Sequence, residues 1–190
     1  MKYIQQAFDE NWIAPLGPNV NGLESDIEKF LESPVHVAAV SSGSAGLHLA
    51  LILLGVKPGD DVICQSLTFS ASANSILYVG GHPVFVDSEK DTWNICPQLL
   101  EKAIQERIAV GKKPKAIITV CLYGMPYKID EVRLVALKYQ IPIIEDSAEA
   151  LGSMYKGRKT GTFGDISIFS FNGNKIITTS GGGALVVKES

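Results

Sequence analysis

The sequence lacks an excess of charge of either sign, and it lacks a long apolar run. Its 190 residues contain 17 lysines and arginines against 20 aspartates and glutamates, a formal net charge of −3. No basic block stands out, so a nucleic-acid groove or a patch for anionic membranes has no electrostatic basis. The longest apolar run, Leu49 to Leu54, is far shorter than the roughly 18 residues of a membrane-spanning helix. We therefore expect neither nucleic acid nor membrane as a partner, and favour a small-molecule ligand.

The first 30 residues do not read as a secretory signal, so we expect none, and cysteine is scarce. Those residues carry five acidic side chains and no apolar segment typical of a signal peptide. The cysteines are odd in number and have no C-x-x-C spacing, and the histidines are not spaced as metal ligands. These six residues are Cys64, Cys96, Cys121, His36, His48 and His82. We expect free thiols, no metal site and a cytoplasmic location.

What the sequence does contain is a regular alternation of β-branched runs and helical stretches. The stretch from Ile129 to Tyr139 has apolar residues on one helical face and charged residues elsewhere. Alternating elements of this length need right-handed crossovers, so they predict an α/β fold: three layers, with a mostly parallel sheet between helices. The predicted strands are 35–40, 61–64, 84–87, 116–120, 141–145, 166–171 and 184–187. The predicted helices are 20–31, 44–54, 69–79, 97–110 and 129–139.

Ligands of such sheets bind at the carboxyl ends of the strands, and the first polar cluster follows the first long strand. Ser42-Gly43-Ser44-Ala45 stands where this strand turns into a helix. Backbone N–H groups of a first helical turn have no partner inside the helix, and they attract a phosphate. An ordinary serine–glycine helix cap has the same pattern, so this cluster alone leaves both interpretations open.

A second cluster, Glu145 and Asp146, follows the apolar residues 141–144. A partly buried carboxylate at such a strand end stays ionised when it has a cationic partner, and a pyridinium nitrogen is one. The alternative is that Asp146 is the N-cap of a helical turn formed by residues 147–151.

The third cluster contains Lys175, which is flanked by small and polar residues. Glycines at 181–183 allow a close approach of the backbone. A lysine in this setting is a candidate Schiff-base nucleophile. The alternative is a surface lysine in a glycine-rich turn.

Together and in this order, the clusters resemble the DegT/DnrJ/EryC1/StrS family. The motifs are Ser42-Gly43-Ser44-Ala45, Leu67-Thr68-Phe69, the eight residues from Glu145 to Gly152, and Phe169-Ser170-Phe171 with the residues up to Lys175. Members of that family are nucleotide-sugar aminotransferases that depend on pyridoxal 5'-phosphate (PLP) and have the aspartate aminotransferase fold, fold type I. The resemblance covers nearly the whole chain. It implies that residues 1–190 form a PLP-binding large domain.

The resemblance assigns the catalytic roles to Lys175 and Asp146. Lys175 would bind the cofactor aldehyde as a Schiff base and then move the proton between the substrate carbon and the cofactor carbon. Asp146 would pair with the pyridine nitrogen and keep it protonated, so that the ring accepts electrons. Phe69 would stack on the ring face.

The resemblance also implies how the phosphate and the substrate are bound. The hydroxyl of Ser170 would join the backbone N–H groups of Gly43 and Ser44 around the phosphate. Glu149, expected one helical turn beyond Asp146, would face the cofactor and the sugar. Asn172 would contact the substrate.

The implied reaction moves an amino group, with glutamate as the expected donor, to a keto carbon of a nucleotide-linked keto-deoxy sugar. At the position of Glu149 the family more often has Gln or His. At the position of Asn172 it commonly has His. This pair resembles the branch that acts at C4 of UDP-4-keto-6-deoxy-N-acetylhexosamines. Lys175 argues against the related sugar dehydratases, in which His takes its place. A C3 keto-sugar or a cyclitol as substrate, and a non-catalytic regulatory or scaffold role, are the alternatives.

Length is the main departure from the family pattern. Family members have a C-terminal small domain. They form homodimers in which residues of one subunit contribute to the active site of the other. Here the sequence ends three residues after the strand at 184–187. We expect a truncated chain without the small domain, a homodimer for the full-length protein, and weak or no activity for residues 1–190 alone.

Overall fold

Alternating helices and strands run through residues 1–12, 14 and 16–188, the part of the chain that the computed structural model describes. The helices are α1 Lys2–Asp9, α2 Pro18–Leu31, α3 Gly43–Leu53, α4 Ala71–Tyr78, α5 Pro97–Ala109 and α6 Ile129–Tyr139, with a short 3-10 helix at Leu122–Gly124. The strands are β1 Val35–Val40, β2 Asp61–Gln65, β3 His82–Val86, β4 Ala116–Val120, β5 Ile143–Asp146, β6 Met154–Tyr155, β7 Arg158–Lys159, β8 Ile166–Ser170 and β9 Gly183–Lys188. The predicted α/β order is confirmed.

Element ends differ from the prediction where local hydrogen bonding decides them. Strand β5 begins two residues later than predicted, because Pro142 has no N–H group and the amide of Ile141 donates to Ala136 O of α6. Helix α4 begins at Ala71, so Phe69 lies in the loop that precedes it.

The described strands build a seven-stranded sheet in the order β1-β9-β8-β5-β4-β2-β3. Neighbours from β8 to β3 are parallel, whereas β9 is antiparallel to both β1 and β8. Strands β6 and β7 form a separate small hairpin. The predicted mostly parallel sheet is confirmed, and the carboxyl ends of its parallel strands meet at one edge.

Helices cover both faces of the sheet. Leu47 of α3 and Ile76 of α4 lie in the core on one face, and Leu100 of α5 and Val132 of α6 lie in the core on the other. All residues of β2 and β4 are buried. Burying each large aliphatic side chain contributes about 1.5–3 kcal/mol, so the central strands are held firmly. The loops at their carboxyl ends therefore start from fixed positions.

Three further features bear on partners and chemistry. Within the described ranges, no helix is long and apolar enough to cross a membrane. The same part of the chain holds no group of three or more His, Cys, Asp or Glu residues that could bind a metal ion. All three cysteines are free thiols, and burial raises the pKa of Cys64 to about 12.

Candidate active site

A cavity of about 750 Å³ opens at the edge where the parallel strands end. The loops after β1, β2, β4, β5 and β8 line it, at the place where α/β sheets bind ligands. Every site residue predicted from the sequence lies in its wall. These residues are Gly43, Ser44, Phe69, Asp146, Glu149, Ser170, Asn172 and Lys175.

Lys175 lies inside this cavity. Its side chain is only 12 % exposed, and its Nζ donates to Glu149 Oε1 at 3.2 Å. A half-buried ion pair of this kind is less screened by solvent than a surface pair. The alternative of a surface lysine in a glycine-rich turn does not describe this residue.

Asp146 is a buried carboxylate with few partners. Ser72 Oγ donates to its Oδ2 at 2.9 Å, and the Ala148 N–H donates to its Oδ1 at 3.2 Å. Burial raises the pKa of Asp146 above its usual 3.8, although the two hydrogen bonds and the charge of Lys175 act in the opposite direction. A cation beside this carboxylate would favour its ionised form.

The segment after Asp146 corrects one expectation. Residues 147–150 form a tight turn, closed by the Ala150 N–H donating to Ser147 O at 3.0 Å, and the predicted helical turn is wrong. Asp146 caps this turn through the Ala148 N–H, but it is not the helix N-cap of the alternative interpretation, because residues 147–150 are not helical. Glu149 still lines the cavity, because the turn directs it back towards Lys175.

Glu145 lies on the opposite face of the sheet from Asp146, because successive residues of a strand alternate. Its carboxylate is fully buried. The carboxylate accepts three backbone N–H groups and two hydroxyls, from Gly161, Phe163, Gly164, Ser147 and Ser167. Only Asp146 of the predicted acidic pair therefore faces the cavity.

The amino end of α3 forms another part of the cavity wall. Ser42 Oγ accepts the Ala45 N–H at 3.1 Å, so the helix-cap alternative is satisfied by Ser42. The backbone of Gly43 and Ser44 lies at the cavity wall. A Cβ atom at Gly43 would come within 3.0 Å of Ser170 Cβ, so glycine permits this approach between helix and strand end. The Ser170 hydroxyl is thereby placed beside the amino end of the helix.

Phe69 and Asn172 complete the set of predicted residues. The ring of Phe69 is 72 % exposed at the cavity wall, where it is accessible to a ligand. Asn172 is exposed, and its side chain donates to Asn174 Oδ1 at 3.4 Å.

Sequence reasoning missed Ser72, the hydroxyl partner of Asp146. Ser72 is buried in α4, and its Oγ lies 2.9 Å from Thr68 Oγ1. Thr68 precedes α4 and Ser72 lies in its first turn, and this pair of hydroxyl residues four positions apart was the available signal.

Two buried amide side chains under the cavity were also missed. Gln65 accepts the Val120 N–H at 3.3 Å and donates to Leu67 O at 2.8 Å. Asn94 Oδ1 accepts both the Leu122 N–H at 3.0 Å and Gln65 Nε2 at 3.3 Å. These bonds join the ends of β2 and β4 to the loop after β3, which carries Asn94. A polar amide ending the apolar strand β2 was the only signal.

A family model decides the relationship that the motifs suggest. The model of the DegT/DnrJ/EryC1/StrS aminotransferase family matches residues 1–190. The chain belongs to this family. The predicted family and fold type are thereby confirmed.

Several known proteins are similar to this chain along almost its whole length. EpsN of Bacillus subtilis, named provisionally as a pyridoxal phosphate-dependent aminotransferase, is 56 % identical over 184 residues, 97 % of this chain and 47 % of EpsN. GDP-perosamine synthase of Escherichia coli O157:H7 is 42 % identical over 99 % of this chain and 50 % of that protein. A crystal structure of a family aminotransferase from Brucella abortus has a TM-score of 0.93 and 33 % identity, over 98 % of this chain and 50 % of that one. The chain thus spans about half the length of these relatives.

Proposed function

We propose that the chain binds PLP in this cavity and serves the transfer of an amino group to a keto carbon of a nucleotide-linked sugar. The observation that carries the proposal is the position of Lys175, Asp146 and the amino end of α3 in the wall of one cavity. An amine, an acid and an anion-binding helix end are the groups that this chemistry needs.

The residues present fit the three polar parts of PLP, which are a phosphate, a ring nitrogen and an aldehyde. The amino end of α3 and the Ser170 hydroxyl suit the phosphate. The buried carboxylate of Asp146, whose pKa burial raises, is stabilised by a protonated ring nitrogen. Lys175 supplies the primary amine that reacts with an aldehyde.

When bound, PLP withdraws electrons from the carbon that carries the amino group. Asp146 would hold a protonated ring nitrogen, and the exposed ring of Phe69 would be available to stack on the cofactor ring. Lys175 Nζ would carry the proton that is exchanged during amino transfer. Glu149 Oε1, 3.2 Å from that nitrogen, orients the amine.

For the substrate, we propose a nucleotide-linked keto-deoxy sugar aminated at C4, with glutamate as the donor. One relative is named GDP-perosamine synthase, which supports the nucleotide-sugar class. The resemblance of Glu149 and Asn172 to the branch that acts on UDP-linked N-acetylhexosamines favours such a substrate within that class, and both residues lie in the cavity wall. Lys175 and Asp146 are retained together, which favours an enzyme over a scaffold protein.

We also propose that residues 1–190 are the PLP-binding large domain of a longer cytoplasmic enzyme that acts as a homodimer. The half-length match to the relatives supports this division. Experiments on activity accordingly use the natural polypeptide that contains these residues.

The test compares the visible absorption of PLP with wild type, Lys175→Ala and Lys138→Ala. Lys138 is the matched control, since its Nζ also bonds a carboxylate, Glu101, but on the outer surface. We expect a protein-bound band for wild type and Lys138→Ala, and only free PLP for Lys175→Ala. The same spectrum for all three proteins contradicts the proposal.

A panel of substrates then separates the alternatives. Glutamate consumption should depend on a 4-keto nucleotide-sugar. Turnover with a 3-keto sugar or a cyclitol instead would replace the C4 assignment, and PLP binding with no turnover of any member would favour the regulatory role.

A further inference from the structure

Tyr123, in the loop after β4, is an exposed aromatic residue with an uncommon backbone conformation. Its φ and ψ angles are 51° and 28°, in the left-handed region that favours glycine. The residue is 88 % exposed and lies at the cavity wall. Bulky residues held in this region are strained, and they concentrate at functional sites.

The backbone around Tyr123 is fixed by side chains from elsewhere in the fold. Glu149 Oε2 accepts the Tyr123 N–H at 2.7 Å, Asn94 Oδ1 accepts the Leu122 N–H at 3.0 Å, and Ser153 Oγ donates to Gly124 O at 2.7 Å. The loop is therefore anchored on three sides while the ring remains accessible. Such an arrangement presents a side chain in a preorganised position.

Glu149 connects Tyr123 to the proposed reacting group. One oxygen of this carboxylate accepts the Tyr123 N–H, and the other accepts Lys175 Nζ. Phe69, a second exposed ring in the cavity wall, follows β2, the strand next to β4. The two aromatic residues thus enter the cavity from adjacent strand ends, and Tyr123 is the one tied to Lys175 through Glu149.

We propose that Tyr123 is a substrate-binding residue whose ring packs against the sugar of the nucleotide-linked substrate. This inference rests on the proposed function and names one contact of that site. A phenol ring offers a large apolar surface to the C–H groups of a sugar, and its hydroxyl can bond a sugar hydroxyl. The sugar is the part concerned, because it carries the keto carbon and must lie near Lys175 Nζ.

Three variants separate the ring from the backbone. Tyr123→Gly removes the ring and suits the left-handed backbone, so folding should not suffer. Tyr123→Phe keeps the ring and removes only the hydroxyl. Gln140→Gly is the control, since Gln140 has a φ of 50° at the end of α6 and lies outside the cavity.

Calorimetric titration of the PLP-loaded proteins measures binding of UDP-N-acetylglucosamine and GDP-mannose, with UDP and GDP as sugar-free probes. For the nucleotide-sugar that wild type binds, we expect Tyr123→Gly to weaken binding about tenfold and Tyr123→Phe less than about threefold. Binding of the matching nucleoside diphosphate should not change. Gln140→Gly should match wild type, and all variants should keep the protein-bound PLP band.

Other results overturn the inference. Unchanged nucleotide-sugar binding by Tyr123→Gly removes Tyr123 from the site, and an equal loss for the nucleoside diphosphate assigns the ring to the nucleotide. A changed sedimentation mass for Tyr123→Gly assigns it to an interface between two copies of the chain. If wild type keeps the PLP band but binds neither nucleotide-sugar, the sugar contact fails while the PLP-binding part of the proposed function stands. Loss of the wild-type band contradicts the proposed function itself.

Discussion

Glu145 and Asp146 are adjacent, both are buried, and their surroundings differ completely. Glu145 accepts three backbone N–H groups and two hydroxyls, whereas Asp146 accepts one hydroxyl and one N–H group. A buried carboxylate with a full set of donors is a structural element. One with few donors, whose pKa burial raises, is suited to a cationic ligand.

Glycines close to Glu145 explain how its donors gather. A Cβ atom at Gly164 would lie 2.9 Å from Glu145 Cβ, and one at Gly161 would lie 2.2 Å from Phe169 Cζ. Only a chain without side chains at these points can wrap the carboxylate so closely. Among the described residues no such loop surrounds Asp146, which lines the cavity instead.

The largest effect should come from Asp146→Asn in the proposed reaction. Transamination should slow by about 1000-fold or more, roughly 4 kcal/mol in the barrier, because a neutral pyridine is a poorer electron acceptor. PLP should remain bound, as the visible spectrum will report. Near-normal turnover would remove Asp146 from this role and abolish the distinction between the two acids.

Glu145→Gln should have the next largest effect, and on stability. We expect the free energy of unfolding to fall by about 3 kcal/mol, since the amide NH₂ would face donors that now bond a carboxylate. The loss should be similar with and without PLP in chemical denaturation. Asp146→Asn, which makes the same change at the neighbouring acid, is the matched control. Equal stability of Glu145→Gln and wild type would show that the donors around Glu145 contribute little to stability.

Ser72→Ala should affect the surroundings of Asp146 and leave those of Glu145 unchanged. Losing the Ser72 hydroxyl removes a hydrogen bond that lowers the pKa of Asp146, so the cofactor-free protein should lose about 1 kcal/mol at pH 7. Ser75→Ala also removes a buried hydrogen bond, from Ser75 Oγ to Ser72 O, but Ser75 does not touch Asp146, so its loss of stability should not depend on the ionisation of Asp146. Denaturation at about pH 3 and at pH 7 therefore separates the variants: the loss for Ser72→Ala should grow with pH, and the same pH dependence for both would contradict a specific role for Ser72.

The smallest effect is a pH dependence of the cofactor-free protein. Because burial raises the pKa of Asp146 in the folded state, the folded protein binds this proton more tightly than the unfolded chain does. Its contribution to stability is therefore lost as the pH rises from 3.8 through the raised value. The free energy of unfolding of Asp146→Asn relative to wild type should consequently rise over that interval. At pH 7 the variant should be more stable than wild type by up to about 1 kcal/mol. A difference that does not grow with pH would count against the raised pKa.

The sequence predicted the features that depend on local pattern. Strand and helix order follow from hydrophobic periodicity, and the eight predicted site residues meet because parallel strands end at one edge. The features it did not predict depend on distant contacts. The antiparallel insertion of β9 between β1 and β8, the donors around Glu145 and the left-handed Tyr123 all involve partners far along the chain. The turn that carries Glu149 was mistaken for a helix because Asp146 caps either structure.

Borohydride reduction of the PLP-loaded protein, followed by peptide mapping, tests the central claim most directly. Reduction fixes the cofactor to the lysine that holds it. We predict the label on the peptide that contains Lys175. A label on any other lysine would contradict the assignment.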